Sequence, residues 1–214
     1  MIFHLKPKIF KNMLFLIILF SADSANSMEE LNMEPPLKIL CTCSDHSNIL
    51  RTNALDVNIS DPENSRIVKS MIATLIANGG GAGLAAPQVG ISKRIFIASF
   101  DRKSENLKGF INPSFTAVEG DLEEGWEACF SVPLTFVRIN RWKTIHTTYF
   151  TPEGEEIMET LIGFPAKVFQ HECDHLNGML ITESPLERKD FQSSEEFNAF
   201  LAEIRAADSK SYKK

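Results

Sequence analysis

Two histidines four residues apart are the part of this sequence best suited to chemistry. They belong to the run His171-Glu172-Cys173-Asp174-His175, which is an H-E-x-x-H sequence. On a helix, residues four apart lie one turn apart on the same face, so both imidazoles can reach one cation. The intervening Glu172 can take a proton from a water bound to that cation without being a ligand itself. The run therefore predicts a helix that carries a metal-dependent hydrolytic site.

A catalytic site of this kind needs a third protein ligand, and the sequence offers more than one candidate. A metzincin would have a further histidine where this chain has Ile181. A thermolysin-like peptidase would use a glutamate in the region of Glu195, although that residue also falls in a helix-capping sequence. Cys129 is the remaining candidate, and taken alone it is better explained as a buried thiol. These residues by themselves leave the third ligand open.

Three segments resemble, in order and with similar separations, the three signature motifs of the peptide deformylase family. The first motif, G-x-G-x-A-A-x-Q, is similar to Gly81-Ala82-Gly83-Leu84-Ala85-Ala86-Pro87-Gln88. The second, E-G-C-x-S, is similar to Glu127-Ala128-Cys129-Phe130-Ser131, and the third, Q-H-E-x-D-H-L, to Gln170-His171-Glu172-Cys173-Asp174-His175-Leu176. The similarity extends over residues 37–190. One such motif is weak evidence, whereas three in register are strong.

The resemblance implies a metal-dependent hydrolase that removes the N-formyl group from the formyl-methionine of newly made polypeptides. The metal ligands would be Cys129, His171 and His175, and metal-bound water would attack with Glu172 as general acid/base. One divalent cation is implied, with Fe2+ favoured and Zn2+ or Ni2+ as alternatives, because a thiolate with two imidazoles accepts several metals.

The resemblance also implies how the substrate is held. Gln88 and the backbone N–H of Phe130 would donate hydrogen bonds to the formyl oxygen as it gains negative charge. Gly81, Gly83 and Ala128 would line an extended substrate. Ala128 departs from the family pattern, which has glycine there, and adds a methyl group beside the substrate backbone. Two apolar residues shortly before His171 are candidates for a methionine pocket or, equally, for ordinary core: Phe164 and Val168.

The elements that must position these residues can be predicted from periodicity and capping signals. The metal helix should run from Phe164 to Leu176, with Pro165 in its first turn and Asn177-Gly178 as its stop. An earlier helix should begin at Ser60-Asp61-Pro62-Glu63, end at Gly79-Gly80-Gly81 and bury one stripe: Ile67, Met71, Ile72, Leu75 and Ile76. A last helix, capped by Ser193 and Glu196, should serve packing alone, with one apolar face: Phe197, Phe200, Leu201 and Ile204.

Strand signals complete the expected fold. They lie at residues 94–100 and 110–111, and in a hairpin formed by residues 142–150 and 157–162. Helices and hairpin strands without a βαβ rhythm predict an α+β domain, with mixed or antiparallel β-sheets packed around a central H-E-x-x-H helix.

Size and composition limit the remaining possibilities. The chain has 214 residues and a formal net charge of −6, which suits one globular domain and argues against nucleic-acid binding. Residues 1–27, a lysine-containing stretch with a short apolar run, resemble a targeting segment or reflect a misplaced start. We expect the catalytic domain at residues 28–190 and a C-terminal helix with a polar tail at residues 191–214. The thiols of Cys41 and Cys43 are expected to be reduced.

Three functions compete: the deformylase, a zinc peptidase with Glu195 as third ligand, and a non-catalytic binder of N-terminal methionine peptides. For the deformylase, the expected partners are N-formylmethionyl nascent chains near the ribosome. We expect a monomer without a membrane span in its mature domain, located in the cytoplasm. An exported or organellar protein is the alternative if residues 1–27 are a real targeting segment.

Overall fold

Two antiparallel sheets and three α-helices make up the part of the chain that the computed structural model describes. That part is residues 34–45, 47–118 and 120–211, with side chains up to residue 206. The expected N-terminal segment, residues 1–27, lies outside it. The helices are α1 (Glu63–Ala77), α2 (Phe164–Leu176) and α3 (Ser194–Ser211). The strands are β1 (Gly83–Ala85), β2 (Ile95–Ala98), β3 (Lys108–Ala117), β4 (Leu122–Cys129), β5 (Val132–Trp142), β6 (Thr144–Phe150), β7 (Glu156–Ile162) and β8 (Glu187–Asp190).

The larger sheet has five strands in the order β1-β2-β3-β6-β7, and the smaller has three in the order β4-β5-β8. Every pairing between these strands is antiparallel. The β6–β7 hairpin pairs Thr144 with Ile162 and Phe150 with Glu156, as the alternating pattern predicts. Separate helices on antiparallel sheets confirm the predicted α+β class.

Helix α2 lies between the two sheets. It has the predicted bounds, because the signals that start and stop it lie next to its ends. Gly163 adopts a φ of 67° before the first turn, and Gly178 adopts the same φ after the last. These left-handed conformations favour glycine and mark both ends of the helix. One face of α2 is buried against the larger sheet: Ala166, Phe169, Cys173 and Leu176. The other face is thereby turned to the smaller sheet.

An aromatic cluster fixes the larger sheet under α2. The ring of Phe96 stacks on Phe110 with 4.6 Å between centroids and meets Phe169 edge-on at 5.1 Å. Phe96, Phe110 and Phe169 are all at most 1% exposed. Since buried aromatic pairs have preferred geometries, this cluster sets the position of the helix as well as its burial.

Helix α1 departs from its predicted stripe at one position. Asp61 Oδ1 accepts a hydrogen bond from the N–H of Glu63 at 2.9 Å, as the capping signal predicts. Ile67, Met71 and Leu75 are buried, but Ile76 is 45% exposed, so its predicted burial is wrong. Val68 is buried in its place, which rotates the apolar stripe towards that side of the helix.

Other sequence predictions also need correction. Strands β4, β5 and β8 were not predicted, because glutamates and arginines interrupt the apolar alternation along them. The one exception is residue 142, the last of β5, which was assigned to the following hairpin strand. Cys41 and Cys43 are joined by a disulfide, contrary to the expectation of reduced thiols. In the described part of the chain, no helix is both long and apolar enough to cross a membrane.

Candidate metal centre

Cys129, His171 and His175 meet in one group, as the resemblance implies. Cys129 ends β4, where a register shift after Ala128 brings it opposite Val132. The two histidines lie one turn apart on α2, with 5.1 Å between their ring centroids. Cys129 Sγ is 3.1 Å from His175 Nε2, and one ligand atom from each of the three residues lies within 4.8 Å of the other two. A single cation can therefore contact all three.

The charges around the thiol fit such a cation. Burial opposes ionisation of Cys129, but the neighbouring His175 and His171 outweigh it and hold the pKa of the thiol well below its usual value. The thiolate is the form that ligates metals. A thiolate and two imidazoles are a donor set for a divalent transition metal, and three protein ligands leave a position open for water. The residues present thus fit the group that the family implies.

Glu127 orients the first histidine. Its Oε2 atom lies 2.8 Å from His171 Nδ1, so the Nε2 atom of that ring is left to face the cation. A carboxylate behind a ligating histidine fixes the ring and raises its basicity. Burial alone would favour protonated Glu127, but the charge and hydrogen bonds of Arg141 hold its pKa well below the usual range.

Arg141 joins this carboxylate to the metal helix. Its guanidinium donates two hydrogen bonds to Glu127 at 2.9 Å and one to Asp174 at 2.5 Å. Arg141 is only 6% exposed. Asp174 on α2 is thereby linked through Arg141 to Glu127 on β4. The role of Arg141 was missed, because no spacing rule connects a residue of β5 with one on α2.

Glu172 places a carboxylate beside the ligand group. It is 3% exposed, and among the described residues its Oε2 atom has no hydrogen-bond partner. Burial raises the pKa of Glu172 to about 7, against the opposing charges of His171 and His175. A buried carboxyl group that titrates near neutrality suits both the acceptance and the return of a proton.

Gly83 leaves room for that carboxylate. A Cβ atom on Gly83 would lie 2.8 Å from Cδ and 3.0 Å from Cγ of Glu172, which real structures do not tolerate. The glycine of the first motif is therefore required for packing against the acid/base candidate. Gly81 lies against the ring of Phe130, where a Cβ atom would come within 3.0 Å of Cε2.

Gln88 presents its amide to the same centre. Its Oε1 atom accepts a hydrogen bond from the N–H of Ala85 at 2.8 Å, which orients the amide group. Its Nε2 atom then lies 3.2 Å from Ser131 Oγ and 3.3 Å from Cys129 Sγ. Gln88 is 2% exposed, so the donor is fixed and largely shielded from water.

A cleft of about 910 Å³ opens over the metal centre. Its walls include all of the substrate residues predicted from the resemblance: Gly81, Gly83, Gln88, Ala128 and Phe130. Phe164 and Val168 also line it, although Val168 belongs to the core as well. The last helix was expected to serve packing alone, but it supplies one wall: Phe197, Asn198, Leu201, Ile204 and Arg205. Glu195, the alternative third ligand, is exposed and lies outside the ligand group.

An H-E-x-x-H helix, a thiol ligand from a neighbouring strand, a buried carboxyl group and a fixed amide donor share this cleft. Together they fit the active site of a metal-dependent hydrolase.

Comparison with known proteins names the family. The family model for polypeptide deformylase matches residues 38–190. A peptide deformylase of Thermotoga petrophila is 40% identical over 142 residues, which cover 65% of this chain and 84% of that protein. The crystal structure of peptide deformylase from Thermotoga maritima superposes with a TM-score of 0.65 at 36% identity, over 71% of this chain and 99% of that one. A Met-Ala-Ser-bound class I type b peptide deformylase from Acinetobacter baumannii gives 0.63 at 32% identity, over 71% and 99%.

The chain belongs to the polypeptide deformylase family, whose enzymes remove the N-formyl group from newly made peptides. The predicted family, fold class and enzyme class are thereby confirmed.

Proposed function

We propose that this chain deformylates formyl-methionyl peptides with Cys129, His171 and His175 as ligands of one divalent cation and Glu172 as the acid/base. The observation that carries the proposal is the buried Glu172 carboxylate. Among the described residues its Oε2 atom has no hydrogen-bond partner. Glu172 lines the same cleft as Cys129 and His171, and one ligand atom from each of these two residues and from His175 lies within 4.8 Å of the others. Fe2+ is the favoured cation, with Zn2+ and Ni2+ as alternatives. When bound, such a cation would activate water for attack and polarise the formyl oxygen.

Glu172 moves the protons in this proposal. Its carboxylate accepts a proton from the attacking water and later delivers it to the methionine nitrogen, which leaves as the free amine. A pKa of about 7 lets the same group act in both directions near neutral pH. The walls around it, including the close contact with Gly83, limit the positions that the carboxylate can adopt.

Gln88 and the N–H of Phe130 stabilise the charge that develops on the formyl oxygen. The Gln88 amide is already oriented by the N–H of Ala85, so it loses little freedom when it binds substrate. A preorganised donor of this kind contributes about 2.7–4 kcal/mol in the transition state.

The peptide is held in an extended conformation between the Gly81–Gly83 segment and the end of β4 at Ala128. Both segments line the cleft, and backbone groups near glycine can approach a peptide closely. The methionine side chain then enters the space beside Phe164 and Val168.

The biological setting follows from the substrate. Formylated chains emerge at ribosomes, so we place the enzyme near sites of protein synthesis, in the cytoplasm, acting as a monomer. Residues 28–190 would form the catalytic domain, and residues 191–214 a C-terminal helix with its tail.

Deformylation by anaerobically purified, iron-loaded protein tests the proposal. We expect formyl-Met-Ala-Ser to be hydrolysed, and a Cys129→Ser variant to lose most of its bound metal. The matched control is Glu195→Ala, which should keep both metal and activity. Retention of metal by Cys129→Ser together with its loss in Glu195→Ala would instead support the peptidase alternative. Peptide binding without turnover would support the non-catalytic one.

A further inference from the structure

Lys167 brings a positive charge into the cleft. It lies on α2, one turn before the ligand His171, and is partly buried. It lines the same cleft as Phe164 and Val168, its neighbours on the helix. A wall that sequence analysis expected to be apolar therefore carries an ammonium group.

Gly125 determines where that ammonium lies. Gly125, Glu127 and Cys129 alternate along β4 and so point to one face of the strand. A Cβ atom on Gly125 would lie 2.9 Å from Cε of Lys167 and would overlap its Nζ atom. The end of the Lys167 side chain thus lies against Gly125, on the face of β4 that also carries Glu127 and Cys129.

The ammonium has no carboxylate partner within the residues that the structure describes. Of the described residues that line the cleft, two carry carboxylates, Glu127 and Glu172. Glu127 is held by Arg141 and His171, and Glu172 faces the ligand group. Further cations line the same cleft: Arg102, whose guanidinium lies 4.0 Å from the centre of the Phe164 ring, and Arg205. Lys167 therefore brings to this cleft a charge that no carboxylate among the described lining residues neutralises.

We propose that Lys167 is a specificity-determining residue whose ammonium binds a carboxylate on the second or third residue of the substrate. The preferred substrates are then N-formyl peptides that are acidic near the N-terminus. An extended peptide advances about 3.4 Å per residue, and one helical turn rises about 5.4 Å, so these are the residues within reach of the lysine. This inference rests on the proposed function, because it assumes that the formyl group lies at the metal centre.

The test compares charge at each position with its neutral isostere. We would measure kcat/KM for C-terminally amidated formyl-Met-Glu-Ala-Ser and formyl-Met-Ala-Glu-Ser, each against the peptide with glutamine at the same position. We expect glutamate to be preferred by about five- to tenfold at one of the two positions, as is typical of a partly buried charged contact. That preference should shrink as salt is added.

Four variants separate charge recognition from a general loss of structure. Lys167→Met should reduce the glutamate-to-glutamine ratio to about one, whereas Lys167→Arg should retain most of it. Gly125→Ala should lower the ratio as well, because the added methyl group displaces the ammonium without removing its charge. The control is Lys108→Met on β3, an exposed residue outside the cleft, which should leave the ratio and the activity unchanged.

The inference is overturned if wild-type protein shows less than a twofold preference at both positions, or if the preference survives in Lys167→Met. Turnover of formyl-Met-Ala-Ser by the wild-type protein distinguishes the two levels of failure. Without that turnover the proposed function fails; with it, a ratio of about one overturns only the role of Lys167.

Discussion

Glu172 combines two properties that seldom occur together in one side chain. It is buried to 3% exposure, yet one of its oxygens has no partner in the part of the chain that the structure describes. An unpaired buried polar atom costs folding free energy, so its retention points to a functional use. Its pKa of about 7 suits proton transfer at neutral pH.

Replacement of Glu172 by glutamine should separate chemistry from metal binding. The amide keeps the shape of the side chain but cannot accept the proton of water, so we expect kcat to fall by about 10²- to 10⁴-fold. Bound metal, measured by elemental analysis of the same preparation, should remain near one equivalent. Metal loss in step with activity would show instead that Glu172 is a ligand.

Gly83→Ala should displace the carboxylate of Glu172 without changing Glu172 itself. The new Cβ atom would overlap the Glu172 carboxylate, and we expect a fall in kcat/KM of about tenfold to a hundredfold, since small misplacements of catalytic groups are costly. Gly81→Ala is the matched comparison, because its Cβ atom meets only the ends of the Leu75 and Phe130 side chains. Equal activity in both variants and the wild type would contradict the packing argument.

At the scale of elements, one arginine connects strand β4, strand β5 and helix α2. Arg141 pairs with Glu127 on β4 and with Asp174 on α2, and Glu127 in turn holds His171. Arg141 and Glu127 are buried and Asp174 is partly buried, so the charges of these three side chains depend on one another for balance. It sets the orientation of the helix relative to the strand that supplies Cys129.

Arg141→Met should therefore affect stability and metal binding together. Glu127 would be left buried and Asp174 partly buried without this partner, and we expect the free energy of unfolding to fall by about 3–5 kcal/mol. Metal affinity should weaken by about 10- to 100-fold, because Glu127 would no longer be held behind His171.

Denaturant titration and competition with a chelator measure the two effects. The control is Arg188→Met, which removes an ion pair with Asp190 whose side chains are 50% and 52% exposed. It should cost less than about 1 kcal/mol and leave metal affinity unchanged. A similar cost for both variants would argue against the network.

At the scale of the whole molecule, α3 packs against the smaller sheet and also forms one wall of the cleft. The ring of Phe200 lies 5.2 Å from Trp126, 5.1 Å from Phe136 and 5.4 Å from Phe191, measured between centroids. Leu201 and Ile204 of the same helix line the cleft. The family match ends at residue 190, before this helix begins, so one wall of the cleft lies outside the matched region.

Phe200→Ala should loosen this wall. The ring is only half-buried, so we expect a loss of about 1–3 kcal/mol in unfolding free energy, below the value for a fully buried phenylalanine. KM for formyl-Met-Ala-Ser should rise more than kcat falls, because the proposed metal ligands lie on other elements. Steady-state kinetics beside Glu203→Ala, an exposed residue of the same helix that does not line the cleft, would check this. An unchanged KM would show that the helix does not shape the bound substrate.

The sequence by itself determined the features that depend on neighbouring residues. Helix α2 has its predicted bounds, Phe164–Leu176, because Pro165 and Gly178 act within a turn of its ends. The family, and with it the ligand set to expect, followed from three short motifs. Local patterns were less reliable where packing between elements decides which side chains are buried. Ile76 shares the helical spacing of the α1 stripe but is exposed to solvent.

Only the tertiary structure decided the contacts between distant segments. Arg141 with Asp174, Lys167 with Gly125 and Phe200 with Trp126 each join different elements, and no spacing rule relates such residues. Their proximity arises from the angles at which strands and helices pack, which depend on the summed burial of many side chains. Local patterns can therefore name candidate residues for the chemistry, whereas the charge and shape of the cleft around them appear only once the chain has folded.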